Sequence, residues 1–158
     1  MFRKMIRAKQ AISERECIDI LCREPRGVLS VLGDNGYPYG MPMDFWCDRE
    51  TGMIYFHSGK YGHKVDAIRR CSKVSFCVYD EGFRRDGEWP LNIKSVIVFG
   101  RIREVEDYDR AMNICRNLSY KYTPDDEYIE HEIKNSGAGT LCLELVPEYM
   151  TGKLVEES

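Results

Sequence analysis

The sequence predicts a mainly antiparallel β protein, a small barrel decorated with a few short helices. Three observations predict it. Six or so strand patterns follow one another with helices between only a few of them, which argues against a doubly wound parallel sheet. Asp34-Asn35-Gly36 is a hairpin signal, because Asn-Gly tolerates the positive φ that tight turns need. Finally, the alternating patterns give way to three- and four-residue steps after residue 107, which places helices late in the chain.

The elements follow in order. Ser13-Glu14-Arg15-Glu16 has the form of a capping box. Its helix should run to about Arg23 and stop before Pro25, burying Cys17, Ile18, Leu21 and Cys22. Gly27 opens an apolar strand, Val28 to Leu32. The returning segment 37–47 carries Pro38 and Pro42, neither of which can donate a ladder hydrogen bond, so an irregular or edge strand is expected. A turn over 48–52 leads to a strand over 53–58, a Gly-containing turn over 59–62 and a helix over 63–70. Val74, Phe76 and Val78 alternate with Ser75, Cys77 and Tyr79 as a half-buried strand.

The charged stretch 80–91 reads as a loop, and 93–105 as a long strand with Val96, Val98, Gly100 and Ile102 on one face. Tyr108, Ala111, Met112, Cys115, Leu118 and Tyr122 then mark an amphipathic helix capped by Asp107. Pro124 begins another helix, with Tyr128, Ile129 and Ile133 inward, ending at Ser136-Gly137. Leu141, Leu143 and Leu145 alternate with Cys142 and Glu144 in a last strand.

A chain of 158 residues, 43% hydrophobic and 31% charged, fits one globular domain over residues 1–158. A formal net charge of −3 gives no support to nucleic-acid or anionic-membrane binding. No apolar run approaches a membrane span, and the first residues lack the continuous apolar core of a signal peptide. Seven cysteines, odd in number and without a CxxC pair, argue against a disulfide framework or a zinc knuckle. Buried, reduced thiols in a cytoplasmic protein are expected. GxGxxG, GxxxxGK[ST] and GxSxG are all missing, which disfavours Rossmann, P-loop and α/β-hydrolase chemistry.

The strongest chemical signal is Tyr55 to Arg70. Lys60, His63 and Lys64 crowd a helix N-terminus, where the macrodipole is positive and a cation costs about 0.3–1 kcal/mol. A glycine-containing turn that feeds free N–H groups into a helix start is suited to an anion, and Ser58 adds a hydroxyl donor. A bound phosphate accounts for the misplaced charge; a solvated basic turn is the alternative. Arg69 and Arg70 complement the dipole at the other end and need no ligand.

His57 reads either as a satisfied structural residue or as a polar group lining a pocket. With His63 it lacks a third partner, so no metal is expected. The proline-broken stretch Tyr39 to Trp46 is either an ordinary edge strand or a place where unpaired backbone groups meet a planar heterocycle, with Met43 or Phe45 against its ring.

The order of Asp-Asn-Gly-Tyr-Pro-Tyr, Met41-Pro42-Met43-Asp44-Phe45, Ile54-Tyr55-Phe56-His57-Ser58, Gly62-His63-Lys64-Val65-Asp66-Ala67-Ile68 and Val74-Ser75-Phe76 resembles the pyridoxamine 5′-phosphate oxidase-like flavoproteins. Within them it is most similar to the nitroimidazole-resistance branch, over roughly residues 12–148. The resemblance implies a split β-barrel homodimer with FMN held non-covalently between subunits. It places His57, Ser58 and Lys64 on the phosphate with His63 beside it, and Met41, Pro42, Met43 and Asp44 along the isoalloxazine. Ser95 and Val96 would approach the flavin from beneath, and His57 is the nearest match to an active-site histidine.

The implied activity is an FMN-dependent oxidoreductase, nitroreductase-like, reducing a small acceptor with NADH or NADPH as donor. A haem- or flavin-binding carrier or sensor is the alternative. The sequence stops short of the C-terminal segment with which true pyridoxamine phosphate oxidases hold their substrate, so vitamin B6 oxidation is not expected.

Overall fold

In the computed structural model, which describes residues 1–155, seven strands form one antiparallel sheet. Glu156, Glu157 and Ser158, the end of the expected domain, lie outside the described residues. The strands are β1 (Arg26–Leu32), β2 (Pro38–Asp44), β3 (Trp46–Cys47), β4 (Ile54–Gly59), β5 (Lys73–Tyr79), β6 (Ile93–Glu104) and β7 (Thr140–Val155). The helices are α1 (Glu14–Arg23), α2 (His63–Arg70), α3 (Tyr108–Tyr120) and α4 (Asp126–Ser136). Sheet order is β2-β1-β5-β6-β7-β4-β3, curled into an antiparallel half-barrel.

Local chemistry explains most boundaries. Ser13 and Glu16 form the reciprocal capping box of α1. Asn35, at φ 57°, and Gly36, at φ 76°, make the left-handed turn of the β1–β2 hairpin. β2 is an edge strand, as its prolines require. The chain breaks at Phe45 between β2 and β3. There the Phe45 N–H donates to the Tyr122 hydroxyl at 2.9 Å, and the Lys121 amine donates to the Phe45 carbonyl at 3.0 Å. The backbone of Phe45, which one of the two readings of this stretch left free for a ligand, is therefore already bonded.

The inner face holds the main core. Phe76 meets Phe45 and Phe56 edge-on, with ring centroids 4.8 and 5.0 Å apart. Cys17, Ile20 and Leu21 of α1 and Val65, Ala67 and Ile68 of α2 close this side. Sequence periodicity selected Ile18 and Cys22 in place of Ile20, and these two are only partly buried.

Three late elements differ from expectation. α4 begins at Asp126, capped by Asp125, and not at Pro124. Tyr108 and Tyr128, assigned inward, are exposed at 54% and 56%. The last strand was expected to alternate, but Leu141 through Leu145 are all buried. The reason is that α3 packs on the outer face, where Ala111, Met112 and Ile114 enclose Cys142 and Tyr55. Glu144, only 1% exposed, is paired there by Arg103, whose Nε donates at 2.8 Å, and by Arg110 of α3. β7 also runs ten residues beyond Leu145, along β6, a continuation the sequence pattern did not announce.

Gly100 sits where the β6–β7 register shifts. A Cβ there would lie 2.2 Å from the Val146 carbonyl oxygen, a backbone atom with nowhere to go. Gly100→Ala should therefore destabilise the protein by about 1–3 kcal/mol, the usual cost of overpacking. A lower urea midpoint with an unchanged slope is the expected readout, and an unchanged midpoint contradicts the close approach.

Candidate functional site

The strand–turn–helix of residues 54–70 forms as expected, and it makes a corner open to solvent. Gly62 precedes α2 at φ 117°, a backbone conformation that glycine reaches without strain. No side chain caps α2, whereas Ser13, Asp107 and Asp125 cap the other three helices. Among the described residues, the N–H groups of its first turn thus have no side-chain cap.

Lys64 points into this corner with His57, Ser58 and Gly59, and the far wall is Asn135, Ser136, Gly139 and Thr140. Its Nζ lies 3.6 Å from the Met43 sulfur. Among the described residues no carboxylate pairs with it, and burial lowers its pKa. His57 is exposed to solvent, yet partial desolvation by the walls of the corner lowers its pKa, with Asp44 opposing the shift and Lys64 adding to it. The imidazole is therefore biased toward its neutral form, poised to accept or donate one hydrogen bond.

The cations expected to converge do not all do so. His63 turns to the β1–β2 hairpin: its ring stacks on Tyr39 at 4.3 Å, and Nε2 accepts the Asp34 N–H at 3.3 Å. Lys60 lines a neighbouring hollow with Tyr61, Arg69 and Glu104, which meets the corner only at Thr140. Met41 and Met43 turn inward from the edge strand and are buried, while Pro42 is exposed. The Asp44 carboxylate is held by the Arg26 guanidinium at 2.7 Å.

Ser95 and Val96 stand apart. Val96 is fully buried in the main core. Val105, whose N–H bonds Cys142 opposite His57, lies about ten residues beyond Ser95, so the two ends are separated by on the order of 30 Å. Within one chain they cannot share a ligand.

A second hollow of about 320 Å³ adjoins the corner and shares His57, Ser136 and Thr140 with it. It lies between the outer face of β4 and β7 and the helices α3 and α4, lined by Met112, Cys115, Tyr128 and Glu132 among others. Sequence reading missed these residues and the Asn135–Thr140 wall. They come to His57 and Ser58 only because β4 pairs with β7, about 80 residues later.

An antiparallel half-barrel with an open, cationic corner at its strand–turn–helix defines the split-barrel class of folds. Residues 13–154 match the model of the pyridoxamine 5′-phosphate oxidase family, and the chain belongs to that family. No curated protein matches the chain.

Among solved structures, a conserved protein of Mycobacterium tuberculosis shares 19% identity at TM-score 0.80, over 95% of this chain and 90% of its own. A candidate 5-nitroimidazole antibiotic resistance protein of Bacteroides thetaiotaomicron shares 18% at TM-score 0.75, over 91% and 86%. An FAD- and haem-binding protein of Mycobacterium smegmatis shares 20% at TM-score 0.74, over 94% and 74%. At these identities the likeness is one of fold. The expected split barrel and its family are thereby borne out, and no described helix is long and apolar enough to cross a membrane.

Proposed function

We propose that the chain is a flavoprotein oxidoreductase that holds FMN with its phosphate in the Lys64 corner and reduces a small acceptor, such as a nitroimidazole. The observation that carries this reading is Lys64. A half-buried ammonium with no carboxylate partner among the described residues is costly unless an anion completes it. It faces an open hollow beside a hydroxyl and an uncapped helix start, the donor set a phosphate monoester takes. Family membership, and neighbours of this fold that bind flavin, support the same assignment.

When bound, the flavin would supply hydride and electron transfer between NADH or NADPH and the acceptor. The protein's own share is to bind and orient. Ser58 and Lys64 hold the phosphate, the unpaired side of the β2 edge from Met41 to Asp44 lies along the ring, and neutral His57 offers one hydrogen bond beside it. A cytoplasmic setting fits the seven free thiols.

The reading includes a homodimer. The outer faces of β1, β5 and β6 carry a cross-strand row of Val28, Cys77 and Ile97, flanked by exposed Leu32, Tyr79 and Phe99. Ser95 lies on this face too, so a second copy seated here would carry its Ser95 toward the first copy's flavin. That arrangement reconciles the two remote parts of the expected site.

An absorption spectrum of the purified protein, followed by extraction of the chromophore and sedimentation, tests all of this. Flavin bands, extracted FMN and a dimeric mass are expected, with NADH- or NADPH-dependent reduction of a nitro compound. A Soret band without flavin bands selects the haem-carrier alternative, and a colourless protein that does not take up added FMN overturns the proposal.

A further inference from the structure

The hollow between α3, α4 and the outer face of β4 and β7 has a chemistry opposite to that of the Lys64 corner beside it. Part of its wall is apolar. Met112 of α3 contributes, as do Ile129 and Ile133, one turn apart on α4. Tyr128 and Glu132, also one turn apart on α4, line the same hollow and are both exposed. With a volume of about 320 Å³ it lies at the small end of the roughly 300–1,000 Å³ typical of ligand sites, which suits a single-ring molecule.

The polar part of the lining is built from acceptors. The Ser119 hydroxyl donates to the Cys115 carbonyl at 2.8 Å, and the Thr140 hydroxyl donates to the Ser136 carbonyl at 2.9 Å. A hydroxyl has one proton, so each of these oxygens has only lone pairs left to offer. Glu132 adds a carboxylate, which accepts and does not donate once ionised. Among the described residues no lysine or arginine lines the hollow, and no ion pair engages Glu132. Arg116, which reaches from α3 to α4, is taken by Glu130 instead, its Nη2 donating at 3.0 Å. The two sides of His57 thus differ in sign: a lysine and a donor hydroxyl in the corner, a carboxylate and acceptor oxygens in the hollow.

We propose that this hollow binds a small protonated amine with a flat apolar body, such as an arylalkylammonium ion. The ammonium donates to Glu132, and the Ser119 and Thr140 oxygens offer it further acceptors. Its body packs on Met112, Ile129 and Ile133, while Tyr128 supplies an aromatic surface of the kind that favours cations. A carboxylate of the same shape meets lone pairs and a like charge, and is rejected. The site does not depend on what occupies the corner, although a molecule in either hollow borders the other at His57, Ser136 and Thr140.

The test titrates the whole protein, free of flavin and at neutral pH, with three probes of one shape: benzylammonium, benzyl alcohol and benzoate. Calorimetry reads the affinity, and amide resonances locate the site. Benzylammonium should bind tightest, benzyl alcohol more weakly and benzoate least, with shifts centred on α3, α4 and Thr140. Glu132→Gln should weaken benzylammonium roughly tenfold, the loss of a hydrogen bond between charged groups, and leave benzyl alcohol unchanged. Glu127→Gln makes the same change of charge on the same helix but outside the lining, and should leave all three affinities unchanged. An equal loss in Glu127→Gln reports only the general charge of the helix and overturns the proposal. So does benzoate binding as tightly as benzylammonium, an unaltered benzylammonium affinity in Glu132→Gln, or no saturable binding of benzylammonium. Because flavin is absent throughout, each result is independent of whether the corner binds FMN.

Discussion

Lys64→Ala should weaken FMN binding roughly tenfold to a hundredfold, because a hydrogen bond to a charged group contributes about 1.5–3 kcal/mol. Ser58→Ala removes a neutral donor and should cost less; the double substitution should cost more than either alone. The informative contrast lies in the flavin-free protein. Lys64 meets no carboxylate among the described residues, and burial disfavours its charge. Removing it therefore leaves thermal stability of the apoprotein unchanged or slightly raised. A structural lysine behaves in the opposite way, destabilising the apoprotein on removal. Titration of flavin fluorescence with each variant, beside their melting curves, separates the two roles. Wild-type affinity in the Ser58→Ala/Lys64→Ala protein would remove phosphate binding from this corner.

The second large effect is expected at the rear of the site. Arg103→Ala combined with Arg110→Ala should destabilise the protein by about 3–5 kcal/mol, since it strands a charge in a dry interior. Glu144 has a side-chain exposure of 2%, against 65% and 49% for the two arginines. Glu144→Gln should cost less, about 1–3 kcal/mol, because the arginines simply turn to water.

The pH dependence follows the same pair of interactions. Burial alone would raise the Glu144 pKa, but hydrogen bonds from Arg103 and Arg110 outweigh it and hold the carboxyl below its ordinary 4.5. Its contribution to stability is therefore complete above that value and lost as pH falls through the lower folded value. Wild type and Glu144→Gln should converge in stability only in acid. Urea denaturation from neutral to acid pH measures both points. A Glu144→Gln protein less stable than the double arginine variant at neutral pH contradicts the assignment of the buried charge.

Much of the fold was legible because local chemistry specified it. The capping box at Ser13, the Asn-Gly turn, the prolines of the edge strand and the alternation around Phe76 each act over a few residues, and each element formed where it was read. The strand–turn–helix was equally readable, since a helix start with lysines and no cap is a local anomaly. What failed were inferences about direction and partner. His63 and Lys64 are adjacent, yet one stacks on Tyr39 and the other faces the corner, because successive helical side chains diverge by about 100°. Tyr108 and Tyr128 fit an apolar period but stay exposed at the helix surface.

Sequence by itself determined the strands, the turns, the family and the place where an anion is expected, for all of these are written in neighbouring residues. Only the tertiary structure decided that β7 returns beside β4, bringing Thr140 to Gly59 and Cys142 to His57. It alone decided that α3 covers the strand so that Glu144 is buried with its arginines. Strand pairing across about 80 residues rests on the register of complementary faces in one sheet, and no short stretch of chain carries that information.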